Sequence, residues 1–324
     1  MKRFKNILCV VASGQSEPAL ERAVLLAENN QARLTVVDVV EQASLGTNLP
    51  CEGLSGEELQ QAMTNFHTKK LEALVAPYRE RIDLHTSVLQ GTPFLAIIRA
   101  VLCHNYDLVI KVTETEDWLT RVFGSDDMHL LRKCPCPVWL VKAHSSPNHQ
   151  RILAAVDVVD MDTDSAAEAD RQRNASRQIL EMASSLALSN SAELHIVHVW
   201  AAIGEGVMRA GFMSSTEEKI NTYVEQVRQQ HQASVDQLMS DLAERVGQDT
   251  LDQLKPEIHL IKGGVRKEVP RLAKQIDADL LVMGTVARTG VPGFIMGNTA
   301  ESILNQIECS VMAIKPEGFV SPVE

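Results

Sequence analysis

The chain has 324 residues, enough for two domains of ordinary size, each with a core of its own. Hydrophobic residues make up 45% and charged residues 23%, at a mean hydropathy of -0.06, which excludes a disordered, collagen-like or membrane-bundle chain. No run approaches the ~20 apolar residues of a spanning helix. A formal net charge of -11 disfavours non-specific binding to nucleic acid or to an anionic membrane, so neither is expected as a partner.

The start, Met1-Lys2-Arg3-Phe4-Lys5, has the basic character of a signal peptide, but the apolar run behind it ends at Ala12 and is too short for one. It reads as a first strand, and the protein as cytoplasmic. Onward, strands are predicted near 6–12, 33–40, 83–89, 107–112 and 137–142, and helices near 17–30, 56–80 and 93–104. This alternation is βαβ logic and implies a parallel sheet covered on both faces. Two long helices are predicted to open with capping boxes, Ser55 with Glu58 and Ser215 with Glu218. In the second, Ile220, Tyr223, Val224, Val227, Leu238, Leu242 and Val246 keep helical spacing and form a core stripe.

The stretch 143–150, polar and broken by Pro147, separates two copies of one pattern and reads as a linker. Domains of residues 1–146 and 147–324 follow. Ile7-Leu8-Cys9-Val10-Val11-Ala12 recurs as Ile152-Leu153-Ala154-Ala155-Val156-Asp157, and Cys136-Pro137-Val138-Trp139-Leu140-Val141-Lys142 as Cys309-Ser310-Val311-Met312-Ala313-Ile314-Lys315. Between them, Gln90-Gly91 aligns with Gly263-Gly264, and Leu108-Val109-Ile110 with Leu281-Val282-Met283. The apolar last strands, 138–141 and 311–314, would leave exposed edges, and pairing them with each other covers both.

Six cysteines in so long a chain form no disulfide framework. Cys9, Cys103 and Cys309 sit in apolar segments as small hydrophobes, and Cys134-Pro135-Cys136 lacks the spacing of a redox or zinc pair. No metal ligand set is read: His195 and His198, three apart in a strand, point to opposite faces. Asp160, Asp162 and Asp164 alternate as a cation loop does but lack the other ligands and the glycine, and read as a solvated loop.

The stretch from Leu281 to Glu301 carries the most chemistry. A buried strand runs into a glycine-bearing loop and then into a helix beginning near Asn298. Gly284 is expected to let the chain turn tightly at the strand's carboxyl end, and Gly297 to expose amides at a positive helix terminus, a combination that cradles phosphate. Glycines serving turn geometry alone are the competing reading. No G-x-S-x-G elbow, general base or arginine finger accompanies it, so no catalytic residue is assigned. Large apolar residues also crowd loops beside it: Ala201, Ala202, Ile203, Met208, Phe212 and Met213, and the run Val291 to Met296. They suggest an apolar ligand pocket or a protein contact, or packing of the loop on its own domain.

Gly284, Ala287, Gly297 and Asn298 occupy the places of a G-x2-G-x9-G-[ST] loop, and that pattern, present in a doubled chain, resembles the universal stress proteins of the tandem bacterial type. The resemblance spans essentially the whole chain, although Ala287 and Asn298 depart from the family's glycine and hydroxyl. It implies two tandem doubly wound α/β domains, Rossmann-like and adenine nucleotide alpha hydrolase-like, each with a five-stranded parallel sheet, related by a pseudo-twofold axis. It also implies a non-catalytic stress-response protein, binding ATP with Mg2+ in the second domain or, alternatively, an apolar ligand or protein partner without nucleotide; a weak ATP hydrolase is the remaining alternative. By the same resemblance Asp157 faces the nucleoside, Val199 touches the base, and Gly284, Ala287, Gly297, Asn298 and Thr299 take the phosphates. The first domain is expected to have lost the site: Ala12 stands for Asp157, Lys111 for Gly284 and Glu114 for Ala287, with Gly124-Ser125 retained. Pairing of the halves within one chain leaves room for a further homodimer.

Overall fold

The computed structural model describes residues 3–11, 17–42, 55–113, 125–143, 149–158, 166–210, 216–285 and 296–323. The first half runs β1 (Asn6–Val10), α1 (Glu17–Asn30), β2 (Arg33–Val40), α2 (Gly56–Val75), a 3-10 turn (Ala76–Tyr78), β3 (Leu84–Gln90), α3 (Pro93–His104), β4 (Leu108–Val112), α4 (Ser125–Lys133) and β5 (Val138–Val141). The second runs β6 (Arg151–Ala155), α5 (Ala166–Asn190), β7 (Glu193–Trp200), α6 (Glu205–Arg209), α7 (Glu217–Val246), α8 (Gln248–Leu254), β8 (Glu257–Lys262), α9 (Val265–Gln275), β9 (Leu280–Gly284), α10 (Asn298–Leu304) and β10 (Ser310–Ile314).

Local chemistry sets many of these limits. Ser55 caps α2 with the predicted reciprocal bonds to Glu58, but α7 is capped by Thr216, whose hydroxyl accepts from the Lys219 amide. The cap therefore sits one residue after the predicted Ser215, and Lys219, which only donates, cannot return the bond that a capping box requires. Pro93 starts α3, where its missing N–H costs nothing, and Asn105 ends it in the left-handed region at φ 52°. The same device closes α1 at Gln31 (φ 53°) and α5 at Ser191 (φ 52°), in the matching runs Asn30-Gln31-Ala32 and Asn190-Ser191-Ala192. Pro270 lies inside α9 and cannot donate to the Arg266 carbonyl, which instead accepts from Gln306 Nε2 at 3.2 Å.

The strands form one ten-stranded sheet in the order β3-β2-β1-β4-β5-β10-β9-β6-β7-β8. Pairing is parallel within each half and antiparallel at the seam, where Leu140, Trp139 and Val138 stand opposite Val311, Met312 and Ala313. The order reads the same from either edge, which places a pseudo-twofold axis at Trp139 and Met312 and bears out the expected pairing of last strands. The linker boundary expected near 147 lies outside the described residues.

Helices cover both faces. Ile7, Leu34, Trp139, Ile152 and Met312 face the side lined by α1, α2, α5 and α7; Leu8, Val109, Leu140, Leu281 and Val311 face α3, α4, α9 and α10. Continuous burial on both faces is why these strands read as unbroken apolar runs. Polar groups stitch the seam. The buried Arg22 guanidinium donates to His149 Nε2, His149 Nδ1 donates to Asp279 at 2.9 Å, and both Arg22 and His149 lie over the Trp139 ring. Because arginine only donates, His149 is the neutral Nδ1–H tautomer, and burial holds its pKa below the ordinary histidine range.

Candidate functional site

Strands β6 and β9 are neighbours in space but not in sequence: the chain leaves β6 toward β7 and returns to β9 from β8. In open α/β sheets, ligands bind outside the carboxyl ends of strands at such a switch point. Asp157 lies two residues past β6, and the register of Ala155 with Met283, carried on, sets it level with Thr285, one residue beyond Gly284, the last residue of β9. The Ser176 hydroxyl of α5 donates to the Asp157 carbonyl at 2.5 Å and accepts from its amide at 3.2 Å, which fixes the main chain there. Val199, the penultimate residue of β7, is buried on the face shared with α9 and α10.

Gly297 is the N-cap of α10, and Asn298 and Thr299 open the helix. The Gly297 amide donates to the Thr285 carbonyl at 3.1 Å, so the loop leaves and re-enters the fold at one place. Of the residues expected at the site, Asp157, Val199, Gly284, Gly297, Asn298 and Thr299 therefore gather at one carboxyl edge. Ala287 lies outside the described residues, as do Asp160, Asp162 and Asp164. The tight turn expected at Gly284 is not seen. Gly284 ends a strand, its φ lies outside the left-handed region, and an added Cβ would meet Ile179 Cδ1 at a comfortable 3.7 Å. Gly297 is likewise extended, at φ -63° and ψ 137°, and its own amide is already used.

The first half differs from its expected alignment by one residue. Val10 pairs with Lys111 as Ala155 pairs with Met283, so Lys111 takes the place of Met283 and Val112 that of Gly284. Gly91 likewise matches Gly263, both at positive φ (118° and 157°) and both donating to the end of the neighbouring strand. Lys111 is not poised for phosphate. It is buried, and its Nζ lies 2.8 Å from Oδ1 of the fully buried Asp127 in the first turn of α4. Helix α4, absent from the predicted elements, thus presents Asp126 and Asp127 where α10 presents Thr299 and Ala300. Ala12, Glu114 and Gly124 lie outside the described residues.

Histidines of β7 divide as strand alternation requires. His198 Nε2 meets His231 Nδ1 of α7 at 3.0 Å on one face, and His195 meets His259 of β8 on the other. Burial, and then the neighbouring His231, push His198 down to about 4. Cys9, Cys134 and Cys136 are buried free thiols, with Cys134 and Cys136 sulfurs 3.6 Å apart, whereas Cys103 faces solvent on α3, contrary to its expected packing role. In the apolar stretch after β7, Ile203 is 82% and Val207 51% exposed while Ala202 is buried, and in the Gly-rich loop Met296 is buried; Phe212, Met213 and 291–295 lie outside the described residues.

The doubled doubly wound fold and its switch-point crevice define the class. The family model described as the universal stress protein family matches residues 3–142 and again 149–315, and the chain belongs to that family as a tandem member. It is similar along its whole length to two-domain relatives. It is 30% identical over 325 residues to the Universal stress protein E homolog of Haemophilus influenzae, covering 97% of this chain and 98% of that one. It is 27% identical over 328 residues to Universal stress protein E of Escherichia coli, covering 100% and 98%. Among solved structures, a putative universal stress protein from Pseudomonas aeruginosa superimposes with a TM-score of 0.70 at 24% identity, covering 98% of this chain and 95% of that one. One from Archaeoglobus fulgidus gives 0.57 at 17%, covering 96% and 98%. These two likenesses concern the fold. Among the described residues, no helix is long and apolar enough to cross a membrane.

Proposed function

We propose that this chain is a non-catalytic, cytoplasmic stress-response protein that takes one adenine nucleotide, ATP with Mg2+, in its second domain and none in its first, with domains of residues 1–146 and 147–324. The observation that carries this reading is the gathering of Asp157, Gly284 and the Gly297-Asn298-Thr299 helix start at the β6–β9 switch point. The equivalent helix start in the first half already holds two carboxylates, one neutralised by Lys111, and a phosphate there meets negative charge. In the second half the uncharged Asn298 and Thr299 offer an amide and a hydroxyl, and Glu301 is turned to Arg132 of α4 at 2.8 Å.

Asp157 in this reading accepts hydrogen bonds from the nucleoside. Hydrolysis would need a cationic group or a second carboxylate beside Asp157, and Val199, Asn298 and Thr299 supply neither. Titration calorimetry of the whole chain with Mg-ATP tests the proposal: Asp157→Ala is expected to weaken binding about tenfold or more, the loss of a hydrogen-bonded charged acceptor. Unchanged affinity in that variant contradicts it. The exposed Ile203 and Val207 favour a second reading, contact with an apolar ligand or protein partner at the same edge, and absence of any heat from Mg-ATP would leave that reading standing.

A further inference from the structure

We propose that His195, Glu257 and His259 form a site for a divalent transition ion of the zinc type, near the amino-terminal edge of the second domain. It lies four residues down β7 from Val199, about 13 Å along the strand, and does not depend on the nucleotide proposal. Parallel pairing sets His195 opposite Glu257 and Val197 opposite His259. Since alternate residues of a strand share a face, all three side chains project from the same side of the sheet. His195 Nδ1 and His259 Nε2 are 3.1 Å apart, His195 Nδ1 and a Glu257 oxygen 3.5 Å, and His259 Nε2 and the other Glu257 oxygen 3.7 Å. Donors bound tetrahedrally at about 2.0–2.2 Å stand roughly 3.3–3.6 Å from one another, so the two ring nitrogens and the carboxylate, whose two oxygens face one nitrogen each, already stand near donor spacing.

Two further observations point to an ion. His195 is buried, yet its Nε2 has no hydrogen-bond partner. A metal taking Nδ1 would leave the ring proton on Nε2, and the Glu193 carboxylate, 3.7 Å from that atom and beyond hydrogen-bond distance, is the acceptor that this proton would draw in. The charge also matches. Glu193 and Glu257 together carry the two negative charges that a divalent cation offsets, beside two imidazole nitrogens that suit zinc rather than calcium or magnesium. Glu257 is exposed, which leaves an entry path and a fourth position for water.

The test uses the full-length protein, stripped with a chelator and titrated with Zn2+ alone, then with Co2+. A one-site isotherm with a Kd of about 1 µM or tighter is expected, with a tetrahedral Co2+ visible spectrum that lacks a thiolate charge-transfer band. His259→Gln and Glu257→Gln, both near the surface, should abolish that isotherm while leaving the far-UV circular dichroism unchanged. Glu193→Gln should weaken it by about 10–100-fold, and His231→Gln should not change it. No binding by the parent chain, binding undiminished in both His259→Gln and Glu257→Gln, or a thiolate band from the cysteines would each overturn the proposal.

Discussion

Gly284 occupies extended backbone with ordinary room for a Cβ, so the fold itself does not demand glycine there. A ligand approaching the end of β9 would. Gly284→Ala is therefore expected to leave stability unchanged or raise it by about 0.5 kcal/mol, by restricting the unfolded chain, while weakening Mg-ATP binding. Urea melts and calorimetry on the one variant separate the two effects; a large loss of stability would show that the site was misjudged. His198 carries a pH dependence. Its folded pKa of about 4 lies below the unfolded value near 6.5, so between them the unfolded chain holds more protons and stability falls as pH falls through that window. The expected loss is about 3 kcal/mol, read as a drop in urea midpoint that His198→Gln largely removes. Below it the carboxylates of Glu72, Asp241 and Asp279, held low by their hydrogen-bond partners, add a further acid-side loss as pH falls through their folded values.

At the scale of elements, the parallel strands were legible because burial on both faces writes them as apolar runs, and the Ser55 cap because its partner stands three residues on. The failures have physical causes. Ser215 and Thr216 are adjacent hydroxyl residues and only the turn decides which one caps. Lys111 and Gly284 both follow apolar triplets, so a residue-by-residue match aligns them, while the hydrogen-bond ladder sets Lys111 with Met283. Helix α4 has a short apolar stripe, and its anchor is the Lys111–Asp127 pair, which no local pattern reveals. The His195–Glu257–His259 cluster was hidden for a related reason: its donors sit on two strands more than 60 residues apart in the chain. Since the Lys111–Asp127 pair is buried, Lys111→Met alone is expected to cost about 3–5 kcal/mol by removing the cation that offsets the buried Asp127 charge, and Lys111→Met with Asp127→Leu to recover most of that. Equilibrium unfolding of the three proteins checks it; an additive double variant would contradict it.

Across the whole molecule, one sheet runs through both halves, and the seam of β5 with β10 replaces the edge that each half would otherwise expose. Lys315, just past β10, reaches across it: buried, it donates to the Leu131 and Arg132 carbonyls at the end of α4 and to Thr285 Oγ1 at 2.8 Å. Burial lowers its pKa to about 8. This cation ties the base of the second domain's Gly-rich loop to the first domain's helix, so α4 of one half braces the loop of the other. The central claim is that this near-symmetric frame holds one asymmetric site. Titration calorimetry of the intact chain with Mg-ATP, repeated on Gly297→Leu and Gly124→Leu, tests it most directly. One nucleotide per chain is predicted, with binding lost in Gly297→Leu and kept in Gly124→Leu; two nucleotides per chain, or one that disappears with Gly124→Leu instead, would contradict the account.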